Sequence, residues 1–301
     1  MPEIRIGSRG SALARWQTNW VAAQLQHAWP DLTCRVEYFS TSGDRITDRP
    51  LPELGGKGVF TEDLALALQQ KKIDIAVHSL KDLPVEETPG LTLAAICERA
   101  DARDALIAAQ PYTLKTLPQH ARIGTSSLRR GAQLLATRPD LTLLPIRGNI
   151  DTRIRKVLAG EYDAILLAAA GLGRLGLGQH IVELLPFDMM MPAPGQGALA
   201  VECRTDNTHA IDYLAVLDHL PTRRAVSAER AFLKALGGGC SAPIGAYSRI
   251  NPQGELKLCG LVASTNGQQV IHVFNKNENP QELGAVVAQE ALEMGAGALL
   301  A

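Results

Sequence analysis

Cys240 sits in Leu236-Gly237-Gly238-Gly239-Cys240-Ser241-Ala242-Pro243, a lone thiol at the tip of a glycine turn. The glycines clear side chains from the approach, so a bulky group can come close to the sulfur. A thiolate is the strongest ordinary protein nucleophile. The same stretch also reads as a helix C-cap with an incidental cysteine, because glycine is expected after a last helical turn. A second group follows the apolar run Asp74-Ile75-Ala76-Val77: in His78-Ser79-Leu80-Lys81-Asp82-Leu83-Pro84 a hydroxyl, a cation and a carboxylate crowd together. Open α/β sheets bind ligands at the carboxyl ends of their strands. His78 fits a satisfied structural residue as well as a base, and Asp82 before Leu-Pro fits an ordinary turn.

The third group is cationic. From Arg122 to Arg174 the chain carries eight Arg and one Lys against three Asp and one Glu. The cations fall where strands end and helices begin. Arg129 and Arg130 follow Thr125-Ser126-Ser127, Arg147 opens Arg147-Gly148-Asn149, and Arg153 and Arg155 lie on a helix that Asp151 is placed to cap. A guanidinium fork grips carboxylate or phosphate through two parallel bonds. The pattern predicts a site for a ligand with several such groups. Gly171-Leu172-Gly173-Arg174-Leu175-Gly176 has dinucleotide-fingerprint spacing. It is rejected, because Arg174 intrudes where pyrophosphate must approach and Gly176-Leu177-Gly178 breaks the helix that should follow.

The elements that must hold these groups follow from periodicity. Glu3–Gly7 alternates as a strand and runs through Ser8-Arg9-Gly10-Ser11 into a helix, Ala12–Ala28. That arrangement offers an anion free backbone N–H groups and a helix dipole. It recurs at Arg122-Ile123-Gly124, Thr125-Ser126-Ser127 and the helix from Leu128. Thr33–Phe39, Leu91–Ile96, Asp104–Ala108, Leu141–Ile146, Asp163–Ala170 and Ala198–Arg204 read as further strands, and Thr61–Lys71 as a helix. Ser40–Gly58 is long and polar, as a lid would be. The chain crosses between two α/β lobes at Glu98–Arg103 and again at Pro192–Gly197. From about Pro221 the character changes to a helix (Thr222–Ala235), three strands (Ile244–Ile250, Leu256–Ala263, Gln269–Phe274) and a helix from Pro280. The expected architecture is α/β, with two lobes flanking a cleft and a small C-terminal α+β domain. Residues 1–98 with 198–216 form the first lobe, 103–192 the second, and 220–301 the third unit.

Composition narrows the function. With 46% hydrophobic residues and net charge -1, the 301-residue chain does not have the balance of a nucleic-acid or membrane-surface binder. No apolar run reaches membrane-spanning length, and Met1-Pro2-Glu3-Ile4-Arg5 lacks the features of a signal peptide. Five scattered cysteines with no Cys-x-x-Cys pair predict a reduced, cytoplasmic protein without a metal site. The absence of a heptad pattern or apolar stripe predicts a monomer.

Taken in order, Arg5-Ile6-Gly7-Ser8-Arg9-Gly10-Ser11-Ala12-Leu13-Ala14, Ala76-Val77-His78-Ser79-Leu80-Lys81-Asp82-Leu83-Pro84, Ile123-Gly124-Thr125-Ser126-Ser127-Leu128-Arg129-Arg130, Arg147-Gly148-Asn149, Pro194-Gly195-Gln196-Gly197 and the Cys240 loop resemble the hydroxymethylbilane synthase, or porphobilinogen deaminase, family over essentially the full chain. Ser8 departs from the family's common Thr but keeps the hydroxyl. The resemblance implies two lobes like those of periplasmic binding proteins and a third domain carrying a dipyrromethane cofactor, joined to Cys240 by a thioether. It implies a transferase of heme and tetrapyrrole synthesis that joins four porphobilinogen units head to tail, releasing ammonia each time and finally linear hydroxymethylbilane. It makes Asp82 the catalytic residue. Lys81, Ser79, Asp82, Thr125, Ser127, Arg129, Arg130, Arg153 and Gly171 would bind the cofactor with Cys240. Arg9, Ser11, Gln17, Phe60, Arg147, Arg153, Arg174 and Gln196 would bind substrate. Two other readings stay open on the residues alone: a non-catalytic binder of organic anions, which leaves Asp82 and the Cys240 loop idle, and a thiol acyl transferase, which needs a histidine base that neither His219 nor His272 supplies in a recognisable triad.

Overall fold

Ile4 and Ile6 alternate with polar neighbours, and this period of two makes β1 (Glu3–Arg9) a strand with both isoleucines buried. In the computed structural model, which describes residues 2–39, 61–239, 242–251 and 253–300, β1 lies inside a five-stranded sheet. Its neighbours are β2 (Thr33–Phe39), β3 (Ile75–Ser79), β4 (Leu91–Ile96) and β10 (Leu199–Arg204), in the order β2-β1-β3-β10-β4. β2 and β3 run parallel to β1, whereas β10 is antiparallel to both its neighbours.

The second sheet repeats this plan. β5 (Asp104–Ala108), β6 (Arg122–Gly124), β7 (Thr142–Leu144), β8 (Ala164–Ala168) and β9 (Glu183–Leu185) take the order β7-β6-β8-β5-β9, with β6 parallel to β7 and β8, and β5 antiparallel to β8 and β9. The sheets superpose in order when β1 is matched with β6 and β3 with β8. The antiparallel strand of each follows directly on a crossing of the chain, β5 on the first and β10 on the second. Each crossing therefore stitches one lobe to the other. Apolar side chains such as Val21, Leu25, Val77 and Val201 fill the first lobe; Ile123, Leu134, Leu166 and Ile107, Val157, Ile165 fill the two faces of the second.

The third unit packs helices Leu220–Ala235 and Pro280–Glu293 against β11 (Ile244–Ile250), β12 (Leu256–Ala263) and β13 (Val270–Asn277), with Phe232, Leu258, Leu283 and Val287 in its core. One carboxylate ties it to both crossings. Glu229, fully buried, accepts from the Arg99 guanidinium at 2.6 and 3.1 Å, from the Gly195 N–H at 2.7 Å and from the Ser248 N–H at 2.7 Å. A buried charge is tolerated when it is paired and its lone pairs are filled in this way.

Local departures from the sequence reading have identifiable causes. The strand expected to run to Ala170 ends at Ala168, and Ala169–Arg174 is a short helix. Gly171 within it lies where the lobes approach: a Cβ there would meet Ile150 at 2.9 Å and Leu13, of the first-lobe helix, at 3.6 Å. Asn149, not Asp151, occupies the N-cap of the helix Ile150–Leu158, and Asp151 sits in its first turn, where an acid favours the dipole. The helix expected from Thr222 starts at Leu220, with Pro221 in its first turn. Its other end is a C-cap: Gly237 takes a positive φ of 65° and returns its N–H to Lys234. The Ser40–Gly58 segment, Phe60 and Cys240 lie outside the described residues.

Candidate functional site

A cavity of about 860 Å³ opens between the lobes, at the carboxyl ends of β1, β3 and β8. From the first lobe Arg9, Ser11, Ser79, Lys81 and Asp82 line it; from the second, Arg130, Arg147, Arg153, Gly171 and Arg174 do. Among the described residues, six cationic side chains thus face the space, against the carboxylates of Asp82 and Asp151. Short turns deliver them. β3 ends at Ser79 and passes into one turn of 3-10 helix, Leu80–Asp82, which buries Leu80 and leaves Asp82 exposed in the cavity wall. β1 ends at Arg9, and Ser11 caps the following helix by accepting from the Ala14 N–H at 3.2 Å.

Behind the wall runs a polar chain that links the lobes. Lys81 Nζ donates to Gln196 Oε1 at 3.3 Å, and Gln196 Nε2 donates to the Asp104 carboxylate at 3.0 Å and the Ala102 carbonyl at 2.8 Å. Asp104, fully buried at the start of β5, also accepts from Arg129 at 2.7 Å and from Arg130 at 2.7 Å. Burial alone would raise the Asp104 carboxyl, but the two guanidiniums overcome it and hold that group well below the usual carboxylate range.

Among the described residues, the cavity lining holds more cations than carboxylates. Burial pulls the Lys81 ammonium down to about 8, partly offset by neighbouring Asp82. Burial, with Arg130 and Arg147 close by, lowers Arg153 to about 10, and burial also lowers Arg174. Arg153 spends one N–H on the Gly148 carbonyl and Arg174 one on the Gly197 carbonyl, both at 2.7 Å. Cations crowded against one another around an open space form a receptor for a polyanion.

Five expected site residues stand back from the cavity wall. Gln17, buried, donates to Ser79 Oγ at 2.9 Å and so orients it. Thr125 accepts from the Ser127 N–H at 3.2 Å, and Ser127 accepts from the Arg130 N–H at 3.4 Å, capping the helix Leu128–Thr137. Arg129 is spent on Asp104 and on the Met191 carbonyl, also at 2.7 Å. Gln196 is the buried link already described. His78 is enclosed and lies 3.7 Å from buried Glu202; burial lowers the imidazole to about 4 and keeps it neutral, as a structural residue would be. The sequence reading missed Asp104 and Tyr38. Asp104 gives no local signal, because its partners are 25, 26 and 92 residues away. Tyr38, at the end of β2, also lines the cavity.

Two family models cover the chain: porphobilinogen deaminase, dipyromethane cofactor binding domain, over residues 4–212, and porphobilinogen deaminase, C-terminal domain, over residues 223–293. A porphobilinogen deaminase of Roseiflexus sp. is 50% identical, covering 98% of this chain and 98% of that protein. One of Brevibacillus brevis is 46% identical over 100% of this chain and 97% of its own length. Among solved structures, a VFT2 domain of Bordetella pertussis BvgS is a distant likeness, with 14% identity and a TM-score of 0.44 over 72% of this chain and 86% of that one.

Proposed function

This chain belongs to the porphobilinogen deaminase family, and on that premise we propose how its own residues carry the chemistry. The enzyme is a transferase of tetrapyrrole and heme synthesis. It joins four porphobilinogen molecules head to tail on a dipyrromethane primer, releasing ammonia at each joining, and water then frees the four added rings as linear hydroxymethylbilane while the primer stays on the enzyme.

The single observation that carries the site assignment is the wall of six cations around one cavity, with Asp82 beside Lys81. Every pyrrole of primer and substrate bears an acetate and a propionate, so a polyanion is what this wall suits. When bound, the dipyrromethane supplies the terminal pyrrole carbon at which the first unit is added. Arg130, Arg147 and Arg153 of the second lobe, with Arg9, Lys81 and Arg174, pair with ring carboxylates and fix the reacting rings in place. Ser79, held by Gln17, and Ser11 add hydrogen bonds. Asp82 is short, anionic and open to the cavity. It stabilises the electron-poor methylene-pyrrole cation left when ammonia departs, through that ring's N–H, and exchanges a proton at the leaving amine and at the new bond. Thr125, Ser127, Arg129 and Gln196 act from behind, holding Arg130 and Lys81 in position. Gly171 lets the backbone of the second lobe come close to the first.

Cys240 is the tether for the primer, through a thioether, and Phe60 a contact for substrate. We assign residues 1–98 with 198–216 and residues 103–192 to the two lobes, and 220–301 to the domain that carries the tether; the three separate sheets support that division. We read the protein as a cytoplasmic monomer that binds no nucleic acid. Six of its described cations line the cavity between the lobes, its net charge is -1, and among the described residues no helix is long and apolar enough to cross a membrane.

Intact mass of the purified protein tests the reading. The expected result is a stable adduct of two pyrrole units that is absent from Cys240→Ser. A fully active protein of unmodified mass would sink the tether.

A further inference from the structure

We infer that Tyr38 and Arg15 form an additional ligand subsite at the mouth of the cavity, an aromatic ring backed by a guanidinium, which takes a carboxylate-bearing pyrrole of the lengthening chain. The inference rests on the proposed function and extends it to residues that neither the motifs nor the site assignment include.

Tyr38 is the penultimate residue of β2 and pairs in register with Ser8, one residue before the cavity-lining Arg9. Its side chain lines the cavity and yet remains 47% exposed, so it stands where the cavity meets solvent. An aromatic ring that lines a pocket offers a flat, apolar face to a flat ligand. The ring is also held. Arg15 lies one helical turn beyond the cap residue Ser11, on the same side of the helix. It donates Nε to the Gly10 carbonyl at 3.0 Å, and this fixes the guanidinium over the Tyr38 ring, 4.4 Å from its centroid. No carboxylate pairs with Arg15 among the described residues, so its outer nitrogens remain available for one. Arg15 covers one face of Tyr38, so a flat ring stacks on the other, and its acetate or propionate arm reaches past the ring edge to the guanidinium.

Charge counting indicates which ring needs such a place. Four units on a two-ring primer carry twice as many carboxylates as the six cations that the described residues bring to the cavity. The inner arginines satisfy the primer and the reacting unit first. Rings that have already reacted must move outward, and Arg15 beside Tyr38 is a cation ready at that exit. The subsite therefore serves elongation, and neither primer assembly nor the bond-forming step itself.

The test uses holoenzyme given limiting porphobilinogen, with intact mass read across the ladder of enzyme carrying successive added units. In Tyr38→Ala and, independently, Arg15→Gln, the primer mass stays as in the wild type. The heavier rungs are depleted relative to the first, and KM rises about 3–10-fold, the range of one lost aromatic contact. Tyr38→Phe, which keeps the ring, restores the heavier rungs. A wild-type ladder and KM in both Tyr38→Ala and Arg15→Gln would overturn the subsite. Loss of the primer adduct in either variant would overturn it too, by placing the pair in assembly or folding. A wild-type protein with no pyrrole adduct at all would instead remove the functional reading beneath it.

Discussion

The two lobes build the cavity from matched strands and yet furnish opposite walls. At the ends of β1 and β3 the first lobe offers a mixed set: Arg9, two serines, Lys81 and the short acid Asp82. Around β6, β7 and β8 the second offers Arg130, Arg147, Arg153 and Arg174, with Asp151, on the helix that carries Arg153, as its carboxylate. The second lobe keeps a further carboxylate, Asp104, out of the cavity and behind the wall, where it holds Arg129 and Arg130. Topology alone therefore does not decide chemistry. One lobe carries the group that can move a proton, and the other grips and orients. The comparison predicts that loss of Asp82 should damage turnover, whereas loss of the cationic groups, or of Asp104 behind them, should damage loading and stability.

Asp82→Asn should show the largest effect. It removes the carboxylate without changing shape, so turnover should fall on the order of 10²–10⁴-fold while the fold and the primer adduct persist. Steady-state kinetics beside intact mass would check it. Near-normal kcat would take the chemistry away from the first lobe. Asp104→Asn should act in the opposite way. It leaves two buried guanidiniums facing an uncharged amide, a loss of about 3–5 kcal/mol of stability, readable by denaturant unfolding. A variant as stable as the wild type but unable to load primer would mean that Asp104 acts at the site directly.

Lys81 sharpens the comparison through pH. Burial brings it from 10.5 to about 8, so between those values the unfolded chain holds a proton that the folded apo-protein has released. Stability of the apo-protein should therefore rise with pH across that window. Primer loading should fall across it, because a neutral amine no longer attracts carboxylates. Lys81→Arg, charged throughout, should lose both trends, while the second-lobe arginines leave a residual, pH-independent loading. Parallel profiles for wild type and Lys81→Arg between pH 8 and 10.5 would assign the titration to another group.

Much of this division is legible in the sequence, because the signals are local. β2, β11 and β12 run over the residues that their alternation predicts. The strand-turn-helix units that present Arg9 and Arg130 are visible as contiguous motifs. What is not legible depends on distant partners. Arg129 and Arg130 are adjacent and chemically alike, and both bond Asp104, yet only Arg130 lines the cavity, while Arg129 also donates to the Met191 carbonyl. Nothing in the spacing separates them. The strand expected to reach Ala170 ends at Ala168, and the short helix after it sets Gly171 against Leu13 of the first lobe, a distant contact with no local signal. The Tyr38–Arg15 contact joins a strand end to a helix 23 residues upstream, and a cation over a ring has no sequence signature.

The smallest prediction compares the two helix caps. Ser11 accepts from the Ala14 N–H at 3.2 Å and Ser127 from the Arg130 N–H at 3.4 Å. Each is the same device on matched strands, and replacing either with Ala should cost about 1 kcal/mol of stability. Their functional cost should differ. Ser11 lines the cavity, so Ser11→Ala should also raise KM by the loss of a ligand hydrogen bond, on the order of 2–10-fold. Ser127 lies behind the wall, and in Ser127→Ala the two bonds from Arg130 to Asp104, at 2.7 and 3.2 Å, still hold the guanidinium. KM should then move less than stability does. Equal rises in KM for the two variants would mean that the cap, and not Asp104, positions Arg130, and the second lobe would then be steering its arginines by local structure after all.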